Sequence, residues 1–351
     1  MSNSVADGGV NRREFISQTV ALGGLAAVAS VVGPSNVWAA VSHRPLDPMN
    51  PDILFGSTSS LWSGQHEIEW AIKRIAALGM QGIEPYAQQV EKYRKDPKSL
   101  KKLFDDAGLT LIDVANGAVG TSTNFMDAPQ VQKTIATHVE YAREFLQPIG
   151  ATLWKCNMGQ RPVGGPSDDQ LKRLADALNE IGRQTIPMGI RLAPHPHIWG
   201  PMEREHDVRR VMELTDPKYV WLTTDTGHLV LGGMDPVKIM GDYFPRIAEV
   251  HLKDTYAKYR GNTSTPTQEQ HRVASVYHNL GGGGVDFPAV FKLLRDRHYK
   301  GWAILDLDGP RKGDDGFDAI GGNMDLAVDD YIAHNINFLR DVVGIRLPPV
   351  D

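Results

Sequence analysis

The stretch Arg191-Leu-Ala-Pro-His-Pro-His-Ile-Trp199 is an apolar run that ends in two histidines separated by a proline. Three later apolar runs also end in side chains suited to metal binding: Thr223-Thr-Asp-Thr-Gly-His228, Glu249-Val-His-Leu-Lys-Asp254 and Trp302-Ala-Ile-Leu-Asp-Leu-Asp308. Short apolar runs of this kind are typical of buried β-strands. Because the carboxyl ends of parallel strands in a barrel meet at one face, we expect these side chains to share one site.

Outward from this region, strand-type runs alternate with segments whose apolar residues recur at helical spacing, such as 68–78 and 171–181. Eight runs have the character of strands and begin at Ile53, Gly82, Leu109, Ala151, Gly189, Tyr219, Ile247 and Gly301. The pattern predicts an α/β protein, a single-domain (β/α)8 TIM barrel over residues 41–351. A doubly wound open sheet is the alternative, but no Gly-x-Gly-x-x-Gly motif follows the first strand.

Two connections are longer than the usual ~2–6 residues between strand and helix. They are residues 255–285, after the seventh strand, and residues 309–323, after the eighth. Both follow carboxyl ends of strands, the face on which barrel active sites are built. We therefore predict a lid and a substrate wall there, with mobile decoration as the alternative.

The first 40 residues have the organisation of an export signal. Arg12 and Arg13 precede an uncharged, Gly- and Ala-rich run over 19–33, and small residues follow at Ala39 and Ala40. We predict a twin-arginine signal peptide over 1–40, cleaved near those alanines. A membrane anchor is the alternative, but the run is shorter than the ~20 residues of a spanning helix. We expect the twin-arginine export machinery to pass the folded product to the periplasm, without membrane attachment.

Charge and cysteine content restrict the partners. The formal net charge is −5 at pH 7, so the chain lacks the basic character of a nucleic-acid-binding protein. Cys156 is the one cysteine, which excludes an intrachain disulfide. We expect a small-molecule sugar or polyol substrate, no nucleic acid, and a possible homo-oligomer.

The strand-end residues have alternative roles that the residues alone leave open. His195 and His197 alternate with Pro196, so on an extended chain they point the same way. Two histidines at this spacing favour a site over a hydrogen-bonded core role. Asp225 either joins the site or caps the segment that follows it. His251 faces away from both its apolar neighbours, which places it in the lumen as a ligand or beside another polar partner.

Asp306 and Asp308 flank Leu307 and so share one face of their strand. Adjacent carboxylates in a dry site raise each other's pKa, and a bound cation relieves that repulsion. Imidazoles combined with carboxylates suit a transition metal better than Ca, which prefers oxygen ligands. The sequence therefore predicts one divalent ion, Mn, Co, Fe, Zn or Mg, with Mn favoured.

These motifs together resemble the xylose-isomerase-like (β/α)8 barrel superfamily of sugar isomerases, epimerases and dehydratases. They are Pro194-His-Pro-His197, Asp225-Thr-Gly-His-Leu229, Arg246-Ile-Ala-Glu-Val-His-Leu-Lys-Asp254, Leu280-Gly-Gly-Gly-Gly-Val-Asp-Phe287 and Tyr299-Lys-Gly-Trp-Ala-Ile-Leu-Asp-Leu-Asp308. The inosose dehydratase branch and the keto-sugar lyase and epimerase branches are the most similar. The resemblance implies a metal shell formed by His195, Asp225, His251 and Asp306.

Two positions depart from the pattern of that superfamily. Many relatives carry Glu where this chain has His195, and Glu where it has Asp306. In isomerase and epimerase relatives those two glutamates bind the metal and move protons between the faces of the substrate. Their replacement weakens a two-base epimerase mechanism and favours an elimination that needs one base. A histidine can act as that base near neutral pH.

Further side chains are candidates for catalysis and substrate binding. The predicted catalytic residues are His197, Lys155 and Glu84, and the predicted substrate-binding residues are His228, Lys253, His278 and Asp308. Lys155 could stabilise an enolate oxygen, or it could form a structural ion pair. Glu84 could be a base, bind a hydroxyl, or form a salt bridge inside the barrel.

We therefore predict a metal-dependent lyase or hydratase of a keto-sugar or keto-glycoside. The expected steps are abstraction of an α-proton by His197 or a nearby base, a metal-stabilised enediolate, and β-elimination. One alternative is a sugar isomerase or epimerase that forms the same enolate. Another is a sugar-binding barrel without catalysis. A DNA-repair endonuclease on this barrel is disfavoured by the acidic charge and the export signal.

Overall fold

The computed structural model describes residues 45–63, 66–117, 121–308 and 324–350. The predicted signal peptide over 1–40 and the predicted loop over 309–323 lie outside these ranges. Among the described residues, every helix falls short of the combined length and apolar character needed to span a membrane.

All eight predicted strands are present, and a short hairpin adds two more. The strands are β1 (Ile53–Thr58), β2 (Gly82–Glu84), β3 (Thr110–Leu111), β4 (Leu153–Cys156), β5 (Arg191–Pro194), β6 (Leu222–Asp225), β7 (Ile247–Leu252), β8 (Asp254–Thr255), β9 (Tyr277–His278) and β10 (Gly301–Leu305). Strands β8 and β9 pair antiparallel with each other, within the long connection that follows β7.

The eight strands other than β8 and β9 form a ring in which neighbouring strands are parallel. Six of them pair in the order β3-β2-β1-β10-β7-β6, and β4 pairs with β5. A parallel bridge between Leu192 and Val220 joins β5 to the entry of β6. On the other side, the Asn116 amide donates to the Lys155 carbonyl at 3.3 Å, which joins the end of β3 to β4. The predicted (β/α)8 barrel is therefore confirmed.

The described residues form eleven α-helices. They are α1 (Ile68–Ala77), α2 (Ala87–Val90), α3 (Pro97–Ala107), α4 (Val131–Tyr141), α5 (Asp168–Thr185), α6 (Glu205–Leu214), α7 (Thr226–Leu231), α8 (Pro236–Asp242), α9 (Gln268–Val273), α10 (Phe287–Asp296) and α11 (Met324–Phe338).

Helix α5 shows how local sequence sets these elements. Ser167 and Gln170 form a reciprocal capping box that satisfies backbone donors at its first turn. Its apolar face, which includes Leu171, Leu174, Leu178 and Ile181, is buried against the strands. Gly182 permits a close approach, since a Cβ there would lie 2.1 Å from the Tyr219 carbonyl oxygen. The helix is thereby packed directly on the chain that enters β6.

Alternation along β7 decides which side chains face the lumen. Val250 and Leu252 join the large core between strands and helices. Glu249 and His251 alternate with them along the strand, so they point the other way, into the barrel. Both are fully buried. The lumen therefore contains ionisable groups that water cannot reach, and these groups need partners inside the protein.

Candidate active site

The four predicted metal ligands meet at the carboxyl ends of their strands. His195 follows β5, Asp225 ends β6, His251 lies on β7 and Asp306 follows β10. One candidate ligand atom from each lies within 4.8 Å of the others. The side chains of His195, Asp225 and His251 are buried, and that of Asp306 is mostly buried. The structure thus brings together in one cluster four residues that are spread over more than one hundred positions in sequence.

Unpaired atoms in this cluster fit a divalent ion. The Nδ1 of His195 lies 3.0 Å from the Asn157 side-chain oxygen and donates to it, which leaves Nε2 with a lone pair. That Nε2 and the Asp225 Oδ2 are buried without a hydrogen-bond partner and lie 3.6 Å apart. Burial, with a contribution from Lys155, lowers the pKa of His195 well below its ordinary value. Two buried acceptors facing each other are the arrangement that a cation satisfies.

Asp225 fills both roles that its sequence position allows. Its Oδ1 accepts a hydrogen bond of 2.9 Å from the His228 amide and caps helix α7. Its Oδ2 remains for the metal cluster. The capping bond fixes the carboxylate plane, so the second oxygen is held toward the other candidate ligands.

His251 lies between carboxylates on both sides of its ring. Its Nδ1 is 3.0 Å from Asp306 Oδ2, and its Nε2 is 2.9 Å from Glu84 Oε2 and 3.6 Å from Glu249 Oε1. Burial and the Lys155 ammonium disfavour the charged imidazolium. The three carboxylates outweigh both, so the pKa of His251 is raised well above its ordinary value. Coordination of a metal by this ring would displace a proton.

Lys155 and Glu84 form a buried ion pair, which was one of the alternatives for both. Lys155 is among the residues that line the site cavity, and Glu84 is not. The pKa of Glu84 falls to about 2: burial opposes the charged form, and the charges of Lys155 and His251 outweigh it. Glu84 is therefore a carboxylate that neutralises Lys155 and supports His251, and its contacts are structural rather than those of a base facing the cavity.

Two further acids lie in this lumen and were not predicted from the sequence. Glu249 accepts a hydrogen bond of 2.8 Å from the Thr223 hydroxyl. Asp113 accepts one of 2.6 Å from the Lys155 amide, and burial, with the charges of Glu84 and Glu249, raises its pKa well above the ordinary value. The Glu249-Val-His251 alternation could have indicated that Glu249 shares the face of His251.

His197 and His228 lie side by side next to His195. Their ring centroids are 3.7 Å apart. The Nδ1 of His197 donates to the Ile198 carbonyl at 2.5 Å, so Nε2 is the acceptor of the neutral ring. Burial lowers the pKa of His197. His197 is therefore a neutral imidazole with one free lone pair.

A cavity of about 240 Å³ adjoins the cluster. Seven of the predicted site residues line it: His195, His197, His228, Lys155, Lys253, Asp306 and Asp308. The Lys253 ammonium is 2.5 Å from Asp308 Oδ2 and 3.6 Å from Asp306 Oδ2. These carboxylates outweigh burial and raise the pKa of Lys253 well above its ordinary value, so it remains cationic.

His278 is the predicted substrate-binding residue that the structure places away from this lining. It lies on β9, where its Nδ1 donates to the Asn279 carbonyl at 3.0 Å. Its ring packs edge-on against Tyr256, with centroids 4.8 Å apart. By contrast, Asn157 lines the cavity and orients His195. Sequence reasoning missed Asn157 because an isolated asparagine after a strand has no distinctive pattern.

Comparison with known proteins identifies the class. The profile of the family described as xylose isomerase-like TIM barrel matches residues 72–342, and the protein belongs to this family. An inosose dehydratase from Clostridium beijerinckii is 27% identical over 260 residues, which are 70% of this chain and 83% of that protein. The predictions of the superfamily and of an enzyme are confirmed.

Solved structures share the fold. The crystal structure of the IolI protein with a bound zinc atom has a TM-score of 0.63 at 13% identity, covering 82% of this chain and 98% of that chain. The 3-keto-D-glucoside 4-epimerase YcjR from E. coli has a TM-score of 0.60 at 17% identity, covering 80% and 98%. At sequence identities of 13% and 17%, this structural likeness shows a shared barrel architecture.

Proposed function

We propose that this carbohydrate-modifying enzyme is a metal-dependent lyase or hydratase of a keto-sugar or keto-glycoside. The observation that carries the proposal is a neutral histidine, His197, facing the same small cavity as a four-residue cluster suited to a divalent ion. The inosose dehydratase relatives support a lyase, and the zinc in the IolI neighbour supports a metal. We propose Mn as the native ion.

The cluster of His195, Asp225, His251 and Asp306 would hold the metal. When bound there, a divalent ion supplies Lewis acidity that makes a proton next to a carbonyl easier to remove. The donors are two imidazoles and two carboxylates, a mixed set that suits Mn, Fe, Co or Zn.

The residues around the cavity would perform the proton chemistry. His197 Nε2 accepts the proton from the carbon next to the ketone, and the electron pair of that C–H bond forms the new C=C bond. The C–O bond on the next carbon breaks, and its oxygen takes the proton from the His197 imidazolium and leaves as water or an alcohol. The ammonium groups of Lys155 and Lys253 lie in the cavity lining and stabilise negative charge on substrate oxygens.

A sugar epimerase or isomerase is the second candidate function. It would share the abstraction step and differ in returning a proton to the same carbon. The structural likeness to a 3-keto-D-glucoside epimerase motivates it. The pairing of Glu84 with Lys155 disfavours it, because that carboxylate is occupied and does not line the cavity. A sugar-binding barrel without catalysis remains the alternative if no turnover occurs.

We also propose a periplasmic location. Its support is the Arg12-Arg13 pair, the uncharged run over 19–33 and the small residues at Ala39 and Ala40. The mature domain would be residues 41–351, and its assembly into a homo-oligomer stays a prediction. Replacement of both arginines by lysine should retain the protein in the cytoplasm, and an unchanged periplasmic fraction would refute export by this route.

The experiment for the proposed function uses the full chain loaded with Mn, Co or Zn. We expect close to one bound ion per chain by elemental analysis, and formation of an enone absorbance on incubation with inososes or 3-keto-glucosides. A protein that binds none of these ions and is not stabilised by them would refute both enzymatic functions. Metal binding without turnover of any substrate would favour the non-catalytic alternative.

A further inference from the structure

A second compartment adjoins the metal cavity. It has a volume of about 280 Å³. The two compartments share four lining residues: Asn116, Asn157, His195 and His197. The first compartment, about 240 Å³, is below the range of about 300–1,000 Å³ of small-molecule sites, and the two together fall within it. The shared wall makes them one bipartite cleft.

Trp199 forms a fixed wall of the second compartment. Its amide donates to Glu203 Oε2 at 2.7 Å, and its indole Nε1 donates to the Pro266 carbonyl at 2.7 Å. Its φ is 64°, a left-handed conformation that is costly for a bulky side chain. Such strain is retained where the surroundings hold it in place, and it concentrates at functional sites. The indole is thus held rigidly at the cost of backbone strain.

The chemistry of this compartment differs from that of the metal cavity. Ile198 and Met158 add apolar surface beside Trp199, and Gln160 and Gln268 contact each other at 3.3 Å on the rim. The charged Lys155, Lys253, Asp306 and Asp308 line only the metal cavity. An aromatic platform with amide groups at its edge suits an aromatic ring or the apolar face of a sugar.

We propose that the second compartment is a leaving-group subsite, and that the substrate is a keto-glycoside rather than a free keto-polyol. The inference rests on the proposed function. The keto-pyranose would occupy the metal cavity, and the aglycone, an aryl group or a second sugar, would lie against Trp199. The glycosidic oxygen then lies at the shared wall, beside His197.

This placement gives His197 a complete proton cycle. Its Nε2 takes the proton from the carbon between the ketone and the anomeric carbon, the C=C bond forms, and the bond from the anomeric carbon to the glycosidic oxygen breaks. The imidazolium then returns the proton to the departing oxygen. The products are an unsaturated keto-sugar and a neutral alcohol or phenol, with no net consumption of protons or electrons.

The test compares two substrates in the metal-loaded full chain. One is a 3-keto-glucoside with a p-nitrophenyl aglycone, and the other is an inosose, which has no aglycone. Trp199→Ala should lower kcat/KM for the glycoside at least tenfold and leave that for the inosose within about twofold, and Trp199→Phe should recover much of the loss. Trp70→Ala is the matched control, because Trp70 is an exposed indole on α1 outside both compartments. Equal losses on both substrates, or none on either, would overturn the inference.

A binding measurement separates this inference from the proposed function. p-Nitrophenyl glucoside has no ketone and cannot undergo the elimination, so the difference between its affinity and that of methyl glucoside reports the subsite alone. We expect the protein to bind it more tightly than methyl glucoside, with the difference lost in Trp199→Ala and kept in Trp70→Ala. If neither keto substrate reacts but this preference persists, the proposed reaction fails and the subsite stands. Equal binding of the two glucosides by the unchanged protein would overturn the subsite.

Discussion

His195 and His197 lie two residues apart at one strand end, yet the structure predicts opposite consequences for their removal. Their ring centroids are 5.6 Å apart. His195 directs an unpaired Nε2 at Asp225 Oδ2, 3.6 Å away, within the metal cluster. His197 is bonded through Nδ1 to a backbone carbonyl and presents Nε2 to the cavity. His195→Ala should therefore lose metal, and His197→Ala should keep it and lose turnover.

The magnitudes follow from the role of each ring. A positioned general base contributes about 10²–10⁴ in rate, so His197→Ala should lower kcat by that factor with metal content unchanged. Loss of a hydrogen-bonding partner behind a metal ligand costs about 10–100-fold in affinity. His195→Ala removes a ligand itself, and its metal affinity should fall by more than that.

Elemental analysis after dialysis, together with turnover at saturating metal, measures both effects in the two variants. His195→Gln and His197→Gln are the matched controls for lost volume. The reasoning would be refuted if His197→Ala released the metal while His195→Ala retained it. Equal metal loss in both variants would mean that the two rings form a ligand pair.

Three further predictions concern the stability of the barrel. Lys155→Met should destabilise the protein by ~3–5 kcal/mol in urea unfolding, because it leaves Glu84 charged and buried, and adding Glu84→Gln should recover part of the loss. Gly182→Ala should cost ~1–3 kcal/mol in the same assay, since its Cβ would meet a backbone carbonyl, whereas Gly241→Ala, a helical site with open space, should stabilise slightly. Burial lowers the pKa of His138 to about 4, below ~6.5 in an unfolded chain. The contribution of neutral His138 to the free energy of unfolding is therefore complete above about pH 6.5 and falls by ~1.4 kcal/mol per pH unit as the pH drops to about 4. His138→Gln should flatten this pH dependence of stability.

The strands were predictable because each is a short apolar run bounded at both ends by residues typical of turns. The third strand was predicted to begin at Leu109, but only Thr110–Leu111 pair as a strand. Beyond Leu111, the Asp113 carboxylate accepts from the Lys155 amide in place of a backbone carbonyl. The hairpin of β8 and β9 was not predicted, because strands of two residues are too short to show alternation.

The metal cluster was predictable for a different reason. Alternation fixes which side chains face the lumen, and the carboxyl end of each strand fixes their height, so His251 and Asp306 could be placed together from sequence. The depth of each side chain within the lumen, however, depends on the stagger between neighbouring strands. That stagger puts Glu84 beside His251 and outside the cavity lining, a position that its own strand-end pattern does not reveal.

Product analysis in heavy water tests the central claim, a metal-dependent elimination, most directly. The metal-loaded protein is incubated with a keto-glucoside or an inosose in deuterium oxide, and the product masses are measured. The account predicts a product that has lost an alcohol or water and carries a new C=C bond, formed only when metal is present. A product of unchanged formula, apart from one deuterium at the carbon next to the ketone, would contradict elimination and establish epimerisation or isomerisation instead.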